Sequence, residues 1–394
     1  MNKTLQALDF DSSRPSSPFY NETHHGWRRE LRKFVEREMM PFVDQWDEQG
    51  EFPLDLYKKA ADVGLLRMGY PEEYGGIKEG LDRFHFIVSS EELARTGAGG
   101  IGASLMSHGI GLPPIIALGD EAMKQRIAPP VLSGDKHISL AITEPSGGSD
   151  VAQLKTRAVR DGDHFVVNGS KMFITGGMRA DYFTTAVRTG GAGTGGISLL
   201  LIEADRPGVS RTNLKKQGWW ASDTAALYFQ DVRVPASNLI GGENKGFIGV
   251  MLNFNGERLG MAASATAYAR VCLEDAVKWA RERQTFGKRL ADHQVIRHKI
   301  AEMVRQINAT QAYLESCAWR VQNGETPAAD LALLKVQATL TMEFCAREAM
   351  QILGGAGYMR GNRVERIYRE VRVNAIGGGS EEIMRDLAAR QLGL

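Results

Sequence analysis

Three segments carry residue types that could hold an anion or a planar ligand. The first is Leu140-Ala141-Ile142-Thr143-Glu144-Pro145-Ser146-Gly147-Gly148-Ser149-Asp150. An apolar run ends there, and Pro145 with small residues opens a loop. Gly147 and Gly148 let backbone approach a ligand, and exposed N–H groups there can bind phosphate oxygens. A plain turn is the equal alternative. The second segment is Lys171-Met172-Phe173-Ile174-Thr175-Gly176-Gly177, and the third is Arg283-Gln284-Thr285-Phe286-Gly287-Lys288. One carboxylate stands out by its place in an apolar pattern. Phe247, Val250, Met251 and Phe254 form an apolar stripe at helical spacing, and Glu257 continues it. Its neighbours three and four residues away are Phe254, Gly260, Asn253 and Met261, none of them basic. A Glu so placed has a raised pKa and can accept a proton. Periodicity alone favours the blander reading, a Glu at the stripe's edge paired through tertiary contacts.

Other candidates fall away. Gly190–Gly196 has the glycine spacing of a dinucleotide loop, but it leads into a strand, and a phosphate cradle needs a helix N-terminus. It reads as a hairpin loop. His24-His25 reads as a surface pair at a helix start. No cluster of His, Cys or Asp at ligand spacing is visible, so no metal is expected. Cys272, Cys317 and Cys345 are far apart, each in a helix-like stretch, and read as buried free thiols. No nucleophile-elbow pattern occurs.

The elements that must position these residues change type twice along 394 residues. Helical spacing runs over 22–43, 54–63, 81–95 and 121–131. Short β-rich runs follow at 138–142, 158–167, 182–188, 197–202 and 225–232, with Asp161-Gly162 as a hairpin turn. Long helical stretches then cover 247–283, 293–321 and 328–353, as in a bundle. The expected fold class is α+β: an N-terminal all-α domain (1–136), a middle antiparallel β domain (137–244) and a C-terminal four-helix bundle (245–394). Lys plus Arg total 48 against 47 Asp plus Glu, which gives no electrostatic reason to expect a nucleic-acid or membrane surface. With no long apolar run and no leader-like N-terminus, the expectation is a soluble, cytoplasmic protein.

Taken in order, the three segments, Gln351-Ile352-Leu353-Gly354-Gly355 and Ile376-Gly377-Gly378-Gly379-Ser380-Glu381-Glu382-Ile383 resemble the acyl-CoA dehydrogenase family. The resemblance runs from about Glu22 to Arg390. It implies FAD bound between the β domain and the bundle, and dehydrogenation of an acyl-CoA thioester to the trans-2-enoyl-CoA. It assigns Leu140, Ile142, Thr143, Gly148 and Ser149 to the isoalloxazine and pyrophosphate. Phe173, Ile174 and Thr175 would lie beside the flavin ring, where the family often has Trp in place of Phe173. Arg283, Thr285 and Phe286 resemble residues that reach FAD across a subunit interface. His293 and Gln294, Gln351, Gly354 and Gly355, and Ser380 and Glu382 match further cofactor positions. A carboxylate at 382 lacks the donors of the Gln that the family also shows there.

Many family members carry the catalytic Glu where this chain has Gly378. In the isovaleryl-CoA and long-chain branches the base stands on the bundle helix, in a context like Asn255-Gly256-Glu257-Arg258. The resemblance therefore reverses the bland reading and makes Glu257 the base, with the Gly378 N–H polarising the thioester carbonyl. Ser149, Asn255, Arg258, Gly377 and Arg390 match substrate-contacting positions, although Arg258 and Arg390 read equally as surface charges. The Gly377–Gly379 triplet removes side-chain bulk, so room for branched or bulky acyl groups is expected there, and the expected substrate is a medium- or long-chain or branched acyl-CoA. A homotetramer (a dimer of dimers) and an electron-transfer flavoprotein as electron acceptor complete what the resemblance implies. A flavin oxidase or monooxygenase on the same fold is the alternative, and a non-catalytic DNA-binding relative a further one.

Overall fold

The computed structural model describes residues 7–394, with the side chains of residues 250–255 left outside the description. The stripe residues Val250, Met251 and Phe254, the Glu257 neighbour Asn253 and the candidate Asn255 fall among these. The helical first third comprises α1 (Glu22–Glu38), α2 (Val43–Gln49), α3 (Asp55–Asp62), α4 (Arg83–Ala94), α5 (Gly99–Leu105), α6 (His108–Gly111), α7 (Pro113–Leu118) and α8 (Glu121–Leu132). The strands are β1 (Ile138–Ala141), β2 (Arg157–Asp161), β3 (His164–Thr175), β4 (Tyr182–Arg188), β5 (Ile197–Glu203), β6 (Val209–Asn213), β7 (Thr224–Pro235) and β8 (Leu239–Ile240). Then come α9 (Gly246–Glu282), a hairpin of β9 (Gln284–Thr285) and β10 (Lys288–Arg289), α10 (Gln294–Gln322), α11 (Ala328–Leu353), α12 (Arg363–Ile376) and α13 (Glu381–Gln391). No single helix among the described residues is long and apolar enough to cross a membrane.

Contacts divide the chain into two compact units. One comprises Met1–Asp44, Asp82–Gly99 and Gly256–Leu394; the other comprises Gln45–Leu81 and Gly100–Asn255. In the first, the small residues Ala262, Ala265, Ala269 and Ala276 of α9 are fully buried with Leu314 of α10 and Leu334 and Met342 of α11. Alanines along one face let neighbouring helices approach closely. Cys272, Cys317 and Cys345 are buried in this core as free thiols. Glu91 of α4 meets Arg14, Arg28 of α1 and Arg270 of α9 at 3.0, 2.7 and 2.9 Å. Burial alone would raise its pKa; the guanidinium groups, Arg270 foremost, instead hold it down at about 2.

In the second unit the sheet order is β6-β7-β3-β2-β4-β5-β8, with β1 on β4. Two of its pairings are parallel, β1 with β4 and β2 with β4, so the sheet is mixed rather than antiparallel. Alternation reports which face of a strand is buried, not which way its neighbour runs. The first hairpin turns at Gly162-Asp163, because Asp161 pairs with His164; the expected turn was one residue early. Strands β6 and β8, the β9–β10 hairpin and helices α2, α5 to α7, α12 and α13 are additional to the elements expected from the sequence, although α12 carries a clear helical period in its buried Val364, Ile367 and Val371.

Candidate functional site

The Ile142–Thr156 loop owes its form to β4. Ala141 of β1 pairs with Thr185, and Arg157 of β2 pairs with Arg188. β1 and β2 thus lie end to end along one partner strand, and the intervening residues are extruded from the sheet. At the tip, Glu144 and Gly147 exchange backbone hydrogen bonds of 3.2 and 3.1 Å around Pro145-Ser146. Gly147, Gly148, Ser149 and Asp150 are exposed. The N–H groups of Gly148 and Ser149 bond to no described residue and remain open to an incoming oxygen. A Cβ at Gly148 would lie 3.1 Å from the Thr143 methyl, so only a small residue fits.

Three charged side chains frame the neck of this loop. Buried Glu144 accepts from the Lys155 and Thr156 N–H groups at 2.6 and 2.9 Å and from Lys171 Nζ at 2.9 Å. Burial opposes its charge, but Lys171 and these donors outweigh burial and hold the carboxyl below its ordinary pKa. Lys171 also donates to the Ile142 carbonyl at 3.0 Å. Arg188 donates to the Leu154 and Ala152 carbonyls at 2.9 and 2.7 Å. None of the three was assigned a role from sequence. A charged pair inside two otherwise apolar or small-residue motifs was the available signal.

β3 runs through the second segment. Lys171 pairs with Leu227 and Ile174 with Ala225, so Met172 and Phe173 face one residue of β7 across a bulge. Phe173 takes φ +61°, a left-handed value uncommon for Phe, and is 67 % exposed while Ile174 is buried. The bulge turns an aromatic ring outward beside the loop; the Met172 N–H bonds the Thr143 carbonyl at 2.8 Å. Leu140, Ile142, Thr143, Gly148, Ser149, Phe173, Ile174 and Thr175 are therefore gathered on β1, β3 and the loop between β1 and β2. Open N–H donors, hydroxyls and an exposed flat ring suit a ligand with phosphates and a planar ring system.

In the other unit, Glu257 lies on α9 one turn before Met261. Burial raises its carboxyl to about 7 despite the attraction of Arg258. Gly378 has φ +65°, and a Cβ built on it would come within 2.6 Å of Met261 Sδ. Gly378 thus abuts the face of α9 that carries Glu257. The room expected at the triplet is already filled: Met261 occupies the space at Gly378, and Met384 lies 2.4 Å from a Cβ on Gly379. Missing bulk in a sequence is not an empty volume, because flexible thioethers close such gaps. Arg258 is 5 % exposed, not a surface charge. Arg390 is exposed and pairs with Asp386 at 2.8 Å. Glu382 is exposed and Ser380 caps α13 through the Ile383 N–H at 3.4 Å.

Gly378→Ala should therefore lower stability by about 1–3 kcal/mol, from the left-handed backbone and the displaced thioether. Gly256→Ala, whose added Cβ would meet no atom of the described residues within 4 Å beyond its own helix backbone and chain neighbours, should stabilise α9 by up to about 1 kcal/mol. Denaturant unfolding of the two variants checks the contrast.

The remaining bundle candidates sit elsewhere. Phe286 and Gly287 both have positive φ, making a tight two-residue turn that leaves Phe286 97 % exposed. His293 Nε2 lies 3.0 Å from Thr285 Oγ1, and Arg283 and Gln294 are exposed. Lys299 of α10 pairs with Glu348 of α11, so this hairpin shares an end of the bundle with Gln351, Gly354 and Gly355. Lys335 of α11 bonds the Gly379 carbonyl at 2.7 Å. From Lys335 to Gln351 is 16 helical residues, about 24 Å. One chain thus holds two separate bundle clusters, one with Glu257, Arg258, Gly377, Gly378 and Ser380 and one with the hairpin and Gln351.

His24 is a correction. It is buried, with Nε2 2.8 Å from Asp82 Oδ1, and His85 Nδ1 lies 2.9 Å from the same oxygen. The three form a cluster of metal-ligating type that the sequence reading did not find. Both rings also close helix caps, on the N–H groups of Asn21 and Asp82. Folding brings together residues 58 apart in the chain, which spacing cannot reveal.

Family models described as acyl-CoA dehydrogenase N-terminal, middle and C-terminal domains match residues 21–135, 139–232 and 244–393. The chain is 41% identical to the acyl-CoA dehydrogenase AFT10-1 of Alternaria alternata, over 96% of this chain and 93% of that protein. It is 35% identical to the mitochondrial long-chain specific acyl-CoA dehydrogenase of Rattus norvegicus, over 95% and 87%. A crystal structure of a probable acyl-CoA dehydrogenase from Mycobacterium abscessus superposes with a TM-score of 0.92 at 47% identity, covering 95% of this chain and 99% of that one.

Proposed function

The chain belongs to the acyl-CoA dehydrogenase family and is an FAD-dependent enzyme of that class, and we propose that Glu257 is the base in its reaction. FAD, when bound, accepts the β hydride. Glu257 removes the α proton, and the Gly378 N–H donates to the thioester carbonyl oxygen, stabilising the charge that develops there. The loop N–H groups of Gly148 and Ser149, with Thr143 and Thr175, would hold the cofactor, and Phe173 would shield it from water. The observation that carries this reading is Glu257 itself: a partly buried carboxyl near pKa 7, one helical turn from the methionine that packs against Gly378. A pKa close to the working pH suits a group that must be charged yet basic.

The substrate proposed is a medium, long or branched acyl-CoA, and the product its trans-2-enoyl-CoA. The 35% identical long-chain relative supports that range. The exposed Phe286 hairpin and Gln351, about 24 Å along α11 from Lys335, support a cofactor site completed by a second copy of the chain within a tetramer. Electron-transfer flavoprotein is the proposed acceptor.

Anaerobic bleaching of the holoenzyme by a panel of acyl-CoA thioesters tests the reading. Bleaching by medium, long or branched thioesters is expected. Bleaching by short straight chains alone would remove the substrate range. Fast reoxidation by air would move the enzyme to the oxidases on this fold.

A further inference from the structure

The turn between α12 and α13 contains two consecutive residues of left-handed backbone, Gly378 at φ +65° and Gly379 at φ +101°. Glycines impose little conformation of their own. The Gly377 N–H is held by the Val373 carbonyl at 2.7 Å, but the Gly378 N–H bonds to no described residue. Something else must fix the direction of that N–H. Lys335 of α11 stands beneath the turn and is 1 % exposed. Its ammonium donates to the Gly379 carbonyl at 2.7 Å and to the Ala375 carbonyl at 3.3 Å. These two carbonyls bracket Ile376, Gly377 and Gly378. One turn along the same face, Thr339 Oγ1 donates to the Lys335 carbonyl at 2.9 Å and lies 3.4 Å from the Asn374 carbonyl. α11 is thus the template on which the end of α12 and the glycine turn are laid.

Burying an ammonium is costly unless its donors are used. Burial lowers the Lys335 pKa to about 8, against the attraction of Glu381, with Arg258 beside Glu257 pressing the same way as burial and Glu382 opposing. An apolar side chain would fill this space at less cost in desolvation, but it would leave both carbonyls unbridged.

We propose that Lys335 is a positioning residue for thioester activation, clamping the Ala375 and Gly379 carbonyls so that the Gly378 N–H points at the substrate carbonyl oxygen. This rests on the role given above to Gly378. It adds a residue 43 positions away in the chain that touches neither substrate nor flavin.

The test uses holoenzyme with Lys335→Met, Lys335→Arg, Thr339→Val and Glu257→Gln. The probe is an acyl-CoA carrying sulfur in place of the β-methylene, which can lose its α proton but cannot give up hydride. Its enolate gives a long-wavelength absorption band beside oxidised flavin. Lys335→Met should retain flavin, shift the pH midpoint of that band upward by at least one unit and lower kcat about ten- to a hundredfold with a smaller change in KM. Lys335→Arg, which keeps a cationic donor, should show a smaller shift than Lys335→Met. Thr339→Val loosens the same junction without touching Gly379; it should lower the Tm and leave the midpoint in place. A wild-type midpoint in Lys335→Met beside a lost band in Glu257→Gln overturns the Lys335 proposal and leaves the reading of the site intact. A normal band in Glu257→Gln overturns that reading instead. If the methionine variant does not fold, Lys335→Gln decides, and an unshifted midpoint in it overturns the proposal.

Discussion

Glu257→Gln should slow anaerobic flavin reduction by about 10²- to 10⁴-fold, the range a positioned general base contributes. In the parent enzyme the same rate should rise with pH through about 7, where Glu257 loses its proton, and level off above. The glutamine variant should lack that rise. Stability should move the other way. The folded pKa of about 7 lies above the ordinary value of 4.5, so the folded protein holds this proton more tightly than the unfolded chain does. Its contribution is most favourable below pH 4.5, declines as pH rises through the window from 4.5 to about 7, and stays at its least favourable above. Removing the charge should then make Glu257→Gln more stable than the parent by about 1–3 kcal/mol at pH 8, with no difference near pH 4. Denaturant unfolding at the two pH values reads this directly. A variant that is both slower and more stable fits a base kept at the expense of stability. Unchanged bleaching would remove Glu257 from its assigned role, whatever the unfolding curves show.

The second large effect is expected at Lys171, which touches neither catalytic candidate. Lys171→Met leaves the Glu144 carboxylate buried without its cation, a defect that costs about 3–5 kcal/mol. Glu144 is also what ties the Lys155 and Thr156 N–H groups to the neck of the loop. The variant should unfold earlier and release flavin on gel filtration. Adding Glu144→Gln should recover part of the stability, because the uncompensated charge goes with it; the coupling within this double-mutant cycle should be about 1–3 kcal/mol. If Lys171→Met keeps both its flavin and its midpoint of unfolding, the frame proposed for the loop is wrong.

These two residues differ in how they could be read. The stripe on α9 makes Glu257 a candidate, since an acid on an apolar helical face stands out, but periodicity alone favours a paired Glu at its edge, and only the family resemblance makes it the base. The same local logic recovered α9, α10 and α11 nearly to the residue, the five short β runs, and the Gly190–Gly196 segment as a loop between β4 and β5. Turns and periods depend on neighbours within a few positions, so the sequence determines them by itself.

Tertiary structure decided what lies opposite each face. It placed β1 and β2 end to end on β4, which is what extrudes the loop between them. It joined Glu144 to Lys171 and Lys335 to Gly379, turned Phe173 outward on a bulge, and buried His24 against Asp82. It also filled the space at Gly378 with Met261, where absent side chains had suggested room for substrate. The physical reason is the same in each case. A pattern of apolar residues fixes the surface an element must hide, but close packing is satisfied by whichever distant side chain fits, and only the folded chain selects it.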